Sequence, residues 1–242
     1  MSLISIIIPT LNEEKLIGQM LNQFDEKLKK ELDLEIIVSD GGSSDSTVES
    51  INGCTDKLIL HNDIKRQNIS EGRNRGAENS NGDILVFLNA DTLIPDLKNF
   101  ILNAKEILES DGYAAIAYPI KVFPEERKTV DRLFHFIYNN YVRMLNKLVM
   151  GMGRGECQII KRDVYFKVSG YNEKIVAGED FDLYRRLKKY GKIYFNNKYC
   201  VYESPRRYRK VGYLRVFMDW ALNSFSILLS GKSMSKEWEQ VR

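Results

Sequence analysis

The segment Gly82-Asp83-Ile84-Leu85-Val86-Phe87-Leu88-Asn89-Ala90-Asp91 constrains the fold more than any other part of the chain. A turn leads into five consecutive apolar residues, Ile84–Leu88, and then to a carboxylate. A short unbroken apolar run between turn residues suits a strand buried on both faces, as in a parallel sheet with layers above and below it. Ligands of open α/β sheets bind outside the carboxyl ends of such strands. Asp91 therefore lies where a divalent cation can be held against a diphosphate. A second reading, in which Asp91 caps the turn Thr92–Pro95, stays open at this point.

The rest of the first hundred residues alternates strand and helix patterns. Leu3–Ile8 reads as a strand stopped by Pro9, with Asn12 as cap of a following helix through Leu16, Ile17, Met20, Leu21 and Phe24. Glu35–Ser39 is a second strand, ended by Asp40-Gly41-Gly42-Ser43-Ser44-Asp45, and Ser46 with Glu49 has capping-box spacing. Lys57–His61 is a third strand, and Ser70–Asn79 a helix before Ile84. This βαβα order implies a mostly parallel sheet with right-handed crossovers, so the loops at Pro9 and Asp40 open on the same edge as Asp91.

In the second half, Ala114–Val122 reads as one strand, with short ones at Ile159–Ile160 and Lys192–Tyr194. An apolar stripe from Val130 to Leu148 has helical spacing, and Gly178–Tyr190 is a helix stopped by Gly191. One compact domain with a helical C-terminal appendage is the simplest organisation. The net charge of +3 is too small to point to nucleic acid. Basic residues do gather late, at Arg206, Arg207, Arg209, Lys210 and Arg215. Three cysteines without C-x-x-C spacing argue against a disulfide framework or a structural zinc site. With neither a signal-peptide pattern nor a membrane-length apolar run, a cytoplasmic location is expected.

Five motifs in order, Ile6–Glu13, Val38–Thr47, Gly72–Gly76, Leu88–Asp91 and Gly178–Leu183, resemble those of the family 2 glycosyltransferases, which have the GT-A fold. None is specific alone; together they cover most of the first 210 residues. The resemblance implies an α/β, GT-A-like domain over residues 1–211, with a nucleotide-sugar-binding half (1–95), an acceptor-side half (96–211) and an amphipathic helical segment (212–242). It implies transfer of a sugar, with inversion, from a UDP- or GDP-sugar to an acceptor hydroxyl or phosphate.

Residue by residue, the resemblance assigns Pro9, Thr10 and Glu13 to the nucleoside pocket and Asp40 to the ring N–H of the base. Arg73 would approach the base or diphosphate, and Asp91 would hold Mn²⁺ or Mg²⁺. Asp180 would be the general base, a role suited to a carboxylate at a helix N-terminus, and Glu179 beside it would position a loop or an acceptor hydroxyl. Helix capping explains Asp45. The pattern departs from the family at Asn89, where D-x-D has its first acid; an amide can still bond a ribose hydroxyl or a metal-bound water. Glu203 or Ser204 could approach the metal. Gly151–Glu156 would wall the acceptor side, and Arg206 and Arg207 would bind the diphosphate or a phosphorylated acceptor.

Polysaccharide, glycolipid and polyprenyl phosphate are all open as acceptors. The apolar segment beyond Gly212 has three readings: packing on the Val130–Leu148 stripe, a homodimer contact, or peripheral attachment at the inner face of the cell membrane. The rivals to a transferase are a sugar nucleotidyltransferase, whose Arg- and Lys-bearing glycine loop is missing after the first strand, and a non-catalytic nucleotide-sugar-binding or scaffold protein.

Overall fold

The computed structural model describes residues 2–51, 53–64, 66–148 and 150–235; the end of the 212–242 segment, residues 236–242, lies outside them. Along the chain run β1 (Ile4–Thr10), α1 (Ile17–Leu21), α2 (Glu26–Leu32), β2 (Leu34–Asp40), α3 (Thr47–Ile51), β3 (Lys57–Leu60) and α4 (Ile69–Glu78). They continue with β4 (Ile84–Leu88), β5 (Thr92–Leu93), α5 (Leu97–Glu109), β6 (Tyr113–Ala117), β7 (Ile120–Val122) and α6 (Thr129–Leu148). The remainder is β8 (Cys157–Lys161), α7 (Arg162–Lys167), α8 (Glu179–Leu187), β9 (Lys192–Phe195), β10 (Val201–Glu203), α9 (Arg206–Val211) and α10 (Tyr213–Ser230).

The main sheet has the order β3-β2-β1-β4-β8-β6-β9 and is parallel except at β8, which runs antiparallel to both β4 and β6. Its strands are apolar on both faces because both are covered. Ile6, Ile8, Ile36, Val38, Val86 and Leu88 meet α1, α2 and α5 on one side; Ile7, Ile37, Leu85 and Phe87 meet α4, α7 and α8 on the other. A third apolar cluster joins α6, α8 and α10 through Tyr138, Val142, Phe181 and Ile227. A small second sheet, β5-β10-β7, sets Glu203 opposite Thr92.

Several sequence expectations are corrected. Pro9 does not stop β1: it pairs with Ser39, at a point where β1 no longer pairs with β4, so its missing N–H breaks no central ladder. Asn12 does not cap a helix. It takes a left-handed φ of 55°, its Oδ1 accepts from Ser44 N at 2.8 Å, and its own N–H donates to Ser43 Oγ at 2.8 Å. The helix begins instead at Ile17, and α2 follows as a separate element. Asp45, accepting from Thr47 N at 3.0 Å, holds the start of α3, and a complete capping box occurs at α4, between Asn68 and Glu71. Ala114–Val122 is two strands in different sheets, because the chain leaves the main sheet at Tyr118-Pro119. α8 ends at Leu187, before Gly191.

Candidate active site

The carboxyl ends of β1, β2 and β4 open on one edge and, with the N-terminal halves of α4 and α8, segment 152–156 and the β10–α9 junction, enclose a cavity of about 770 Å³. It takes in every site residue expected from sequence except Asp40: Pro9, Thr10, Glu13, Arg73, Asn89, Asp91, Glu179, Asp180, Arg206 and Arg207.

Asp40 is 1% exposed and turned into its own loop. Its Oδ1 accepts from the Gly42 and Ser43 amides at 2.9 and 2.8 Å, and its Oδ2 from the Thr10 and Ser43 hydroxyls. The cavity wall here is Thr10 and Gly41.

Asp91 lies three residues beyond the end of β4 and is met by Arg206. The pairing of Glu203 with Thr92 brings the β10–α9 junction over the end of β4. Arg206 Nη1 and Nη2 donate to both Glu13 carboxylate oxygens at 2.9 and 2.8 Å, and Nη2 lies 3.1 Å from Asp91 Oδ2. Burial raises the Asp91 carboxyl to about 6, with Arg206 opposing and Glu13 and Glu156 adding to the rise. Among the described residues no cluster of three His, Cys, Asp or Glu side chains is arranged to hold a metal. Asp91 nevertheless fits Mn²⁺ or Mg²⁺ as a single protein ligand, since such ions are commonly held by one or two carboxylates with substrate phosphates and water completing the shell.

Arg73 and Asn89 both line the cavity and bond each other. Arg73 is 1% exposed and does not stand free toward a diphosphate. It donates to Glu179 at 2.9 Å, to the Asn89 amide oxygen at 3.1 Å and to the Gly155 carbonyl at 2.7 Å, and lies 5.1 Å above the Tyr171 ring. The neutral Asn89 thus has a job: its oxygen serves a buried guanidinium already balanced by Glu179.

Asp180 lies in the first turn of α8, which starts from Gly178 at φ 81°, a conformation that costs a side-chain-bearing residue dearly. Burial, then the charges of Glu179 and Glu156, raise its carboxyl to about 7, against the Phe181 amide and Arg73. A carboxyl that exchanges its proton near neutrality is suited to general-base work.

Sequence reading did not find the cluster behind this wall. Arg154 donates to both oxygens of Glu156 at 3.2 and 3.0 Å and to Glu203 at 3.3 Å, under the rings of Tyr138 and Trp220. Tyr208 donates to Glu203 at 2.7 Å. Burial and the Glu156 charge push the Glu203 carboxyl well above its usual range, while at Glu156 burial is opposed by the Arg154 charge and by hydrogen bonds from Arg154, its own backbone amide and Glu203, which together hold that carboxyl low. Burial and Arg154 take His135, 3.7 Å from Glu203, down to about 3, so it is neutral. The available signal was the Gly-x-Gly spacing before Arg154: a Cβ at Gly151 or Gly153 would stand 2.2 Å from the Tyr184 carbonyl oxygen or 2.4 Å from its ring.

Tyr138 and Trp220 also line the cavity, and from them an apolar surface runs outward. α6 and α10 only partly cover each other, through Tyr138 and Trp220 at 5.0 Å between ring centroids. Leu133, Phe136, Ile137 and Leu148 on α6, and Leu214, Phe225 and Leu229 on α10, are each more than half exposed. No helix among the described residues is long and apolar enough to cross a membrane.

Residues 5–168 match the family profile of Glycosyl transferase family 2. An uncharacterized glycosyltransferase of Haemophilus influenzae is 32% identical over 123 residues, 47% of this chain and 48% of its own. A Methanococcus voltae dolichyl N-acetyl-alpha-D-glucosaminyl phosphate 3-beta-D-2,3-diacetamido-2,3-dideoxy-beta-D-glucuronosyltransferase is 38% identical over 96 residues, 37% of this chain and 29% of its own. The chain thus spans half or less of the length of these curated relatives. In fold it is similar to a Pyrobaculum calidifontis mannosyltransferase solved with GDP-Man and Mn²⁺, at TM-score 0.68, 18% identity, 93% of this chain and 62% of that one. It is likewise similar to Mycobacterium tuberculosis glucosyl-3-phosphoglycerate synthase solved with Mn²⁺ and UDP, at TM-score 0.61, 18% identity and 95% and 79% coverage. The sheet order and these neighbours make the fold GT-A.

Proposed function

The chain belongs to Glycosyl transferase family 2, and we propose that this glycosyltransferase moves a sugar, with inversion, from a UDP- or GDP-sugar to an acceptor hydroxyl or phosphate. Residues 1–95 form the donor half of the catalytic unit, 96–211 the acceptor half, and 212–242 an appendage. The observation that carries the reading is Asp180, a cavity-lining carboxyl raised to about 7.

The base of the nucleotide lies along Pro9, Thr10 and Gly41, and reaches Asp40 Oδ2 by displacing the Ser43 hydroxyl. The diphosphate lies by Asp91 and Arg206. Asp91 would hold Mn²⁺ or Mg²⁺, which when bound would supply charge neutralisation for the departing nucleoside diphosphate. Asp180 takes the proton of the acceptor hydroxyl as its oxygen bonds to the anomeric carbon and the bond from that carbon to the diphosphate oxygen breaks on the opposite face. Arg73 orients Glu179 beside the base.

The acceptor we propose is lipid-linked and presented at the inner face of the cell membrane. Residues 129–148 and 206–235, which carry the exposed apolar stripes, hold nine Lys or Arg and two Asp or Glu, although the whole chain is only +3. That bias suits an anionic surface. The stripes continue into the cavity at Tyr138 and Trp220, and the Methanococcus relative is named for action on a dolichyl N-acetyl-alpha-D-glucosaminyl phosphate. Salt-sensitive co-sedimentation with anionic vesicles is expected; a stable dimer without vesicle binding refutes this part.

The transfer reading is tested by a panel of UDP- and GDP-sugars, following nucleotide release with and without Mn²⁺. Release that depends on Asp180 supports it. Binding without turnover for every donor and acceptor returns the protein to a nucleotide-sugar-binding scaffold.

A further inference from the structure

We propose that Arg206 is an exchangeable counter-ion of the donor site: its guanidinium holds Asp91 in the nucleotide-free protein and yields it to the metal when the donor diphosphate arrives. The inference rests on the reading of this cavity as a donor site.

Three distances carry it. Both terminal nitrogens of Arg206 grip Glu13, at 2.9 and 2.8 Å, whereas only Nη2 reaches Asp91, at 3.1 Å. The forked, bidentate grip is the stronger of the two, so the Asp91 contact is the one released first. The guanidinium can leave Asp91 and remain on Glu13. Its partial exposure, 23% at the side chain, leaves room for that rotation, while Asp91 at 15% and Glu13 at 8% are fixed by their surroundings. The chain between Glu203 and Arg206 is short and anchored at one end in β10 and at the other in α9. The arginine therefore moves by its own side-chain rotation, without a loop rearrangement.

A cation already on Asp91 repels a divalent ion from it. A diphosphate changes the balance, because its charges can take both the guanidinium and the metal. Metal and nucleotide then bind with positive coupling, and the coupling is reciprocal. Without nucleotide the site resists loading with metal, and Asp91 remains neutralised by the protein itself.

The test is Mn²⁺ titration of the full chain followed by the EPR signal of free Mn²⁺, first without nucleotide, then with UDP or GDP. In nucleotide-free protein, R206Q is expected to bind Mn²⁺ at least about fivefold more tightly than wild type, the lower end of ordinary coupling. D91N should abolish that gain. UDP or GDP should raise the Mn²⁺ affinity of wild type by more than it raises that of R206Q. Equal or weaker Mn²⁺ binding by nucleotide-free R206Q overturns the proposal. If R206Q fails to fold by circular dichroism, R206M removes the charge while keeping the length of the side chain and must show the same direction; failure to do so also overturns it. Failure of both UDP and GDP to bind any of these proteins overturns the donor-site reading instead, because the nucleotide-free comparison does not depend on it.

Discussion

Replacing Asp180 by asparagine separates what this carboxyl does for catalysis from what it costs the fold. In the folded chain its carboxyl is raised from 3.8 to about 7. At about 1.36 kcal/mol per pH unit, holding it charged above pH 7 costs about 4 kcal/mol. The group is partly exposed to a solvent-filled cavity, so screening reduces this to about 2 kcal/mol. The sign is that of a raised acid: between about pH 4 and 7 the folded state binds a proton that the unfolded state has lost, so stability declines as pH rises through that window. Asparagine removes the penalty and keeps an oxygen for the Phe181 amide, which Asp180 now accepts at 2.8 Å. Asp180→Asn should therefore raise the melting temperature by about 4–8 °C at pH 8, for a chain of this size, with the gain shrinking toward pH 4. The same change should lower turnover by about 10²–10⁴-fold, leaving nucleotide affinity in place. Differential scanning fluorimetry across pH and a transfer assay read both. A melting temperature that does not rise at pH 8, or turnover within tenfold of wild type, refutes the reasoning.

Asn89→Asp should leave Mn²⁺ affinity within about twofold, because the new acid faces Arg73 rather than the metal; a large gain by EPR titration would move the metal to Asn89. Gly151→Ala would drive a Cβ into the Tyr184 backbone at 2.2 Å and should cost about 1–3 kcal/mol, seen as a lower urea midpoint. Because that loop leads into the cavity wall, the apparent acceptor affinity should fall in the same variant.

Legibility followed sequence distance. The strands β1, β2 and β4 were readable because each is apolar on both faces and closes on a turn, and this placed Asp91 and the Pro9 loop on one edge. The helix α5 was also written in the chain, as Leu97, Phe100, Ile101, Ala104 and Leu108 behind Asp96, whose side chain accepts from Asn99 N, but it was not read. β10, at three residues, is too short for any periodic signal. Asn12 misled because a residue favoured at helix caps also tolerates the left-handed region, and here it ties two loops together. The ion pairs were out of reach: Arg73 finds Glu179 and Arg206 finds Glu13 across 106 and 193 residues. Spacing arguments work over a few turns of chain and carry no information about such partners. The carboxylates could be named as candidates, but not which cations already held them.

The Arg206–Glu13 pair also divides the molecule by inheritance. The family profile ends at residue 168, so Glu13 and Asp91 lie within the shared part, while the cation that balances them comes from the chain beyond it. The charge of Glu13 and Asp91 is answered from a part of the chain that the profile does not cover. Exchanging the β10–α9 junction between relatives would thus retune how strongly the donor site demands a metal without touching a residue of the shared part.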